Sequence, residues 1–325
     1  MKTFIAATGR DLARAVPQPD GGWQVTHILQ DAAVHCVAID HTGALYAGTG
    51  KHGLLRSDDG GATWRTIGLM GNVIRNVAVS PLDENLIFVG MRPAYMAASS
   101  DGGATWQEMA SFRKIRGRWW WFSPAGKPYS AYVNGIAPSP TDPNVLLVGI
   151  EFGALLRSDD GGKSWSKHLK GSLRDCHDVK FHASDGNWAY EGGGTGGGVS
   201  ISKDGGHTWT KHNDGLDRKY GWTVNADPAQ PDLMYASLAP GPILAHTVGK
   251  AQAHIFRSKN GSAWEKLSGG LPDPITSMPY TLLTEPGAVY AGLGNGDVWF
   301  SEDEGDSWEK LPFNLGGIYT SLVMF

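Results

Sequence analysis

No stretch of this sequence approaches the roughly 18 consecutive apolar residues that a membrane-spanning helix needs. The apolar run Phe4 to Ala7 is too short for the core of a signal segment. The expectation is a soluble, cytoplasmic protein that meets no membrane. Cysteine is scarce: Cys36 and Cys176 are too few for a disulfide framework, so they read as small buried residues in a reducing compartment. Charge of one sign is lacking as well. The formal balance is −4, which gives no drive toward nucleic acid. Charged residues are only 18% of the chain, which excludes coiled coil and disorder. The 325 residues, taken at about 150 per domain, would allow two domains. What is plentiful is glycine, with 45 residues, and tryptophan, with 13, a composition for short strands joined by tight turns.

An internal repeat reduces the two domains to one. The octet Ser57 to Trp64 (SDDGGATW) returns at Ser99 to Trp106, Ser158 to Trp165, Ser202 to Trp209 and Ser301 to Trp308, with a shortened copy at Ser258 to Trp264. Asp20-Gly-Gly-Trp23 is a decayed seventh. The tryptophans are spaced 41, 42, 59, 44, 55 and 44 residues apart, so a unit of about 43 residues repeats and two units carry insertions. Within the octet, the Asp side chain can cap backbone N–H groups of its own turn, the glycines supply positive φ, and the Trp is an apolar plate on the next strand. The octet is therefore structural. Two strand-like runs precede each copy, which predicts four-stranded blades at Val34 to Arg65, Ile74 to Gln107, Tyr132 to Ser166, Cys176 to Thr210, Gly221 to Glu265 and Met278 to Glu309. The N-terminal segment lacks a first strand, and Gly317 to Phe325 is a strand-like run with no successor. Pairing the two closes an all-β, seven-bladed β-propeller over residues 1–325, leaving no open edge. A six-bladed ring with a dangling terminus is the alternative.

These octets resemble the Asp-box, or BNR, repeat of sialidases, xyloglucan-cleaving glycoside hydrolases, sortilin-type receptors and photosystem II stability and assembly factors. In length and register the chain is similar to bacterial assembly-factor-like and glycosyl-hydrolase-like members. The resemblance implies a propeller and leaves function open. The N-terminus lacks the Arg-Ile-Pro motif of sialidases, and Met91-Arg92-Pro93 stands in the wrong place. The xyloglucan-cleaving relatives resemble two propellers in tandem, and this length holds one.

In a propeller the first strands line the axis, where ligand sites form. Aligning first strands on Val37, Val77, Ile136, Val179, Val224 and Leu282 puts His35, Arg75, Asn134, His177, Trp222 and Tyr280 two positions earlier, and Tyr319 is their counterpart on the closing strand. A wet axial channel would also take such residues. The turns after the second strands add Lys51-His52, Arg92, Glu151-Phe152, Glu191 and Asn295 toward the same mouth. Glu151 and Glu191, at matched positions on neighbouring blades, are read as paired carboxylates for acid–base chemistry on a glycosidic bond, with Asp178 a third candidate. The competing reading pairs them with Arg75, Arg92 or His52 in buried ion pairs. The arrangement also resembles propeller polysaccharide lyases, which implies His177 and Tyr280 as base and acid with Arg75 or Arg92 neutralising a uronate.

The first insertion, Phe112 to Ala131, carries Arg113, Lys114, Arg116, Arg118 and Trp119-Trp120-Trp121 and is expected to overhang the mouth. Its rings suit stacking on sugars, its cations attract anions, and burial against the rim or a partner is the alternative. The second insertion, Ala239 to His254, reads as a lid or contact loop. Gly192 to Gly198 lacks the features of a phosphate loop and is a blade turn. No spacing calls for a metal, and no cofactor is implied. The sequence thus points to a carbohydrate-directed propeller binding a small molecule or oligosaccharide, a hydrolase or lyase on an anionic glycan. The alternative is a non-catalytic scaffold that docks a partner protein through the Arg/Trp loop.

Overall fold

The computed structural model describes residues 2–127 and 129–325. Each box fixes its own turn. Ser57 Oγ accepts from the Gly61 N–H at 2.9 Å and donates to Asp59 at 2.8 Å, while Asp59 accepts from the Thr63 N–H and hydroxyl. The same geometry recurs at Ser99/Asp101, Ser158/Asp160, Ser202/Asp204 and Ser301/Asp303. Box tryptophans then pack between blades, as where Trp106 donates to the Ile67 carbonyl of the preceding blade at 2.7 Å.

Seven antiparallel sheets result. In sequence order the blades occupy residues 34–68, 73–108, 133–158, 176–211, 220–266 and 279–314, and each runs outward from the axis strand by strand. The seventh is the mixed blade expected from the termini. Leu322–Met324 lies innermost, paired antiparallel with Phe4–Ala7, followed by Leu12–Pro17 and Trp23–Ile28. The ring is closed, and the six-bladed alternative falls. One expectation of four strands per blade fails: among the described residues the third blade has three, Val133–Pro138, Leu146–Ile150 and Leu155–Ser158. The segment that follows tracks the edge irregularly, with Ser166 Oγ and His168 Nδ1 accepting the Arg157 and Leu155 amides. No helix among the described residues is long and apolar enough to cross a membrane.

The cores lie between blades. Cys36, Tyr46 and Leu54 of the first blade pack against Ile74, Val77 and Val89 of the second. Close approach there depends on glycine in the second strands. A Cβ on Gly48 would come within 2.6 Å of Ile74 Cγ2, one on Gly90 within 2.4 Å of Val133, and one on Gly149 within 2.2 Å of Cys176 Sγ. Both cysteines are free and buried, and burial pushes the Cys36 thiol up to about 12.

Candidate ligand site at the axial mouth

Six first strands share a local irregularity that sets the site. The ladder slips between Val34 and Cys36, Ile74 and Asn76, Val133 and Gly135, Cys176 and Asp178, Gly221 and Val224, and Pro279 and Thr281. The skipped residues are His35, Arg75, Asn134, His177, Trp222 with Thr223, and Tyr280. A bulged residue leaves the ladder and its side chain is re-aimed. Arg75, Asn134, His177, Trp222 and Tyr280, joined by Tyr319, face a cavity of about 310 Å³ at the mouth. Below them lies a second cavity of about 230 Å³. Arg75, Asn134, His177, Trp222, Tyr280 and Thr320 line both and mark the neck between them.

Arg75 is the chemical centre of the ring. It is 8% exposed, enters no ion pair among the described residues, and its Nε has no hydrogen-bond partner. Its remaining polar contacts are long, 3.4 Å to His35 Nδ1 and 3.4–3.5 Å to the Tyr319 hydroxyl. The guanidinium lies over the Tyr132 ring at 4.3 Å and the Tyr319 ring at 5.4 Å, so aromatic faces rather than carboxylates hold it. His35 is its neutral neighbour: burial, then Arg75 and Arg92, lower its pKa to about 4.

Opposite, His246 from the second insertion joins two tyrosines. Its Nδ1 is 2.7 Å from the Tyr280 hydroxyl and its Nε2 is 2.8 Å from the Tyr220 hydroxyl. Burial and then the charge of His177 hold His246 below the ordinary imidazole range, so it is neutral, with one nitrogen donating and the other accepting. Burial, then Tyr319, pushes Tyr280 up to about 12. His177 is different. Burial opposes its charge, but Asp175, with its Oδ1 3.5 Å from Nε2, raises the pKa, aided by Glu151 and the Gly221 carbonyl 2.8 Å from Nδ1. Its protonated form is therefore favoured relative to an ordinary imidazole.

The expected carboxylate pair does not form. Glu151 lines the mouth cavity and accepts from Ser123 Oγ at 3.0 Å. Glu191 lies inside the second strand of its blade, opposite Val179, where the third blade has Val148 opposite Ile136. It therefore occupies a core position, and the position matched to Glu151 is Gly194. Its carboxylate is fully buried, accepts the Leu173 N–H at 2.8 Å, and is pushed up to about 8 by burial. Asp178 lines the lower cavity, bound to Lys180 and to Thr223 Oγ1 at 2.7 Å.

Other expected residues also lie elsewhere. His52 is exposed and outside the cavity. Arg92 fastens the first insertion, donating to the Gly126 carbonyl at 2.7 Å and the Ala125 carbonyl at 3.3 Å. Ala125, not the tryptophans, reaches the axial cavity. Trp119 and Trp120 stack at 4.3 Å and stay exposed, and Trp121 packs on Phe112. Sequence reasoning missed Tyr132, Tyr220 and His246 as site residues. The two tyrosines stand two positions before Asn134 and Trp222, so alternation along the first strand was a usable signal. Nothing in the second insertion singled out His246.

A family model described as the BNR/Asp-box repeat matches residues 156–167, the end of the third strand of the third blade and the box turn that follows it. With the box geometry and the closed ring, the protein is a seven-bladed Asp-box β-propeller with its polar cavity at the axial mouth. No curated protein matches the chain by sequence. Among solved structures, an ancestral GH74 enzyme is similar with a TM-score of 0.63 at 18% identity, over 90% of this chain and 38% of that one. The GH74 xyloglucanase from Xanthomonas campestris gives 0.60 at 21%, over 86% of this chain and 45% of that one. YCF48 bound to D1 peptide gives 0.60 at 20%, over 91% and 86% respectively. The chain spans less than half the length of the two GH74 chains, and at these identities the likeness is one of fold.

Proposed function

We propose that this protein takes a carboxylate-bearing sugar of the uronate type into the axial cavity, and that the groups there suit eliminative cleavage of such a chain rather than hydrolysis. The observation that carries the reading is Arg75, a buried cation with no carboxylate within ion-pair distance among the described residues and only long polar contacts, at the neck of a cavity walled by Tyr132, Tyr220, Trp222, Tyr280 and Tyr319. A ligand carboxylate gives the guanidinium a charged partner, and the aromatic faces take the apolar face of a pyranose. His177, whose protonated form Asp175 favours, lines the same cavity.

Glycoside hydrolysis needs two carboxyl groups flanking the bond, and Glu151 is the one carboxylate lining the mouth cavity. The Tyr280–His246–Tyr220 chain offers proton transfer instead. With Arg75 neutralising the carboxylate, the Tyr280 oxygen takes the proton from the adjacent carbon while its own hydroxyl proton passes to His246 Nδ1. The His246 Nε2 proton passes to Tyr220, whose hydroxyl proton goes to the leaving sugar oxygen. A carbon–carbon double bond forms as the carbon–oxygen bond breaks, and the relay ends with the other imidazole tautomer. The test is calorimetric titration with monomeric galacturonate, alongside ultraviolet absorbance of the unsaturated product from polygalacturonate. Binding without product removes the relay and leaves a binding protein. Failure to bind any uronate removes the reading.

A further inference from the structure

A third, larger cavity of about 510 Å³ lies on the third blade. Its floor and walls include Trp120, Phe122 and Phe152, and its cations are Arg116, Lys167 and Arg174. No carboxylate lines it, and none of the three cations enters an ion pair among the described residues. All three are exposed. The axial cavity and this groove are lined by consecutive residues of one turn. Glu151 faces the axial cavity, and the next residue, Phe152, turns into the groove at a φ of 45° and meets Phe122 at 5.2 Å. A left-handed conformation is strained for an aromatic residue and persists where the surroundings demand it. Here it divides two adjacent side chains between two adjoining sites.

From this continuity we infer that the groove is an extension of the axial site that holds further units of a linear polyuronate, so that the protein selects the chain over the single sugar. The choice of ligand rests on the uronate reading of the axial cavity. The groove itself matches a polyanion with flat apolar faces: rings for stacking and unpaired cations for carboxylates. An acidic peptide presents the same charge, and one route by which an extended peptide binds is strand addition at an open sheet edge. The edge of the third blade is taken. The Leu155 and Arg157 amides are held by His168 Nδ1 and Ser166 Oγ, and their carbonyls accept from Leu169 and Ser166 at 3.1 and 2.8 Å.

The test compares the affinity of galacturonate with that of its linear oligomers, by calorimetry, for the full chain and for Trp120→Ala and Arg116→Ala/Lys167→Ala. The expected result is an oligomer bound at least about tenfold more tightly than the monomer, a ratio that collapses toward one in the groove variants while monomer affinity holds. Equal affinity for monomer and oligomer overturns the inference. So does competition by polyglutamate that the groove variants abolish, since that assigns the groove to acidic peptide. Monomer that fails to bind, beside an oligomer that binds through Trp120, sinks the axial reading and leaves the groove standing. Failure of both ligands sinks both.

Discussion

Replacing Arg75 by Met should move stability and binding in opposite directions. A buried ion with no carboxylate within ion-pair distance costs several kcal/mol after relaxation, offset in part by the charge of Glu151, which lines the same cavity. Against this stand the two aromatic faces at 4.3 and 5.4 Å, worth up to about 2 kcal/mol when desolvated, and water in the two cavities that Arg75 borders. Met keeps much of the length and packing without the charge. We expect a net gain of about 1–2 kcal/mol. With about 2.1 cal/mol/K of unfolding entropy per residue over 325 residues, that raises the unfolding midpoint by roughly 1.5–3 °C. Galacturonate loses a charge-assisted interaction worth about 1.5–3 kcal/mol, a weakening of about 10- to 150-fold. Scanning calorimetry and titration on the same samples read both. A variant that melts several degrees lower while binding as before would show that the guanidinium serves packing, and would refute the reasoning.

Three further outcomes follow from the same geometry. The raised His177 pKa keeps its imidazolium in place below the ordinary value of 6.5 and loses it as pH climbs past the elevated value. Uronate affinity is therefore expected to be full on the acid side and to fall as pH rises, and a flat profile through about pH 6–9 would contradict this. The box carboxyls of Asp59, Asp101 and Asp303 are held at about 2 by Thr63, Thr105 and Ser307. Their contribution is complete above the ordinary 3.8 and is lost as pH falls toward about 2, so acid titration followed by circular dichroism should show unfolding in that window, reduced in Asp303→Asn relative to the parent. Trp308 is 4% exposed, with its indole N–H on the Gly305 carbonyl at 2.9 Å. Trp308→Ala should cost about 3–5 kcal/mol in urea unfolding, and a neutral result would contradict inter-blade packing.

The architecture was legible because the box repeats its chemistry. Ser, Asp, Gly and Trp at fixed spacing mark each turn, and the orphan strands at the two ends identify the closing blade. The axial ring was legible for a related reason: counting back from the first-strand apolar residue finds the bulged position in six of the seven blades, so Arg75, Asn134, His177, Trp222 and Tyr280 came out together. Glu191 went wrong because a carboxylate in a core position looks, in one dimension, like one in the following turn. Only the pairing opposite Val179 separates the two. Arg92 was read as a ligand cation because the sequence cannot show that carbonyls of the insertion, Ala125 and Gly126, consume its donors. His246 was beyond reach for the opposite reason, since its site partners lie 26 and 34 residues away in sequence and meet it through loop geometry alone.

The most direct measurement is a crystal structure with monomeric galacturonate bound. The account predicts density in the axial cavity with the sugar carboxylate within about 3 Å of the Arg75 guanidinium and the ring between Trp222 and Tyr319. A sugar seated elsewhere on the propeller, or one whose carboxylate points away from Arg75, would contradict it.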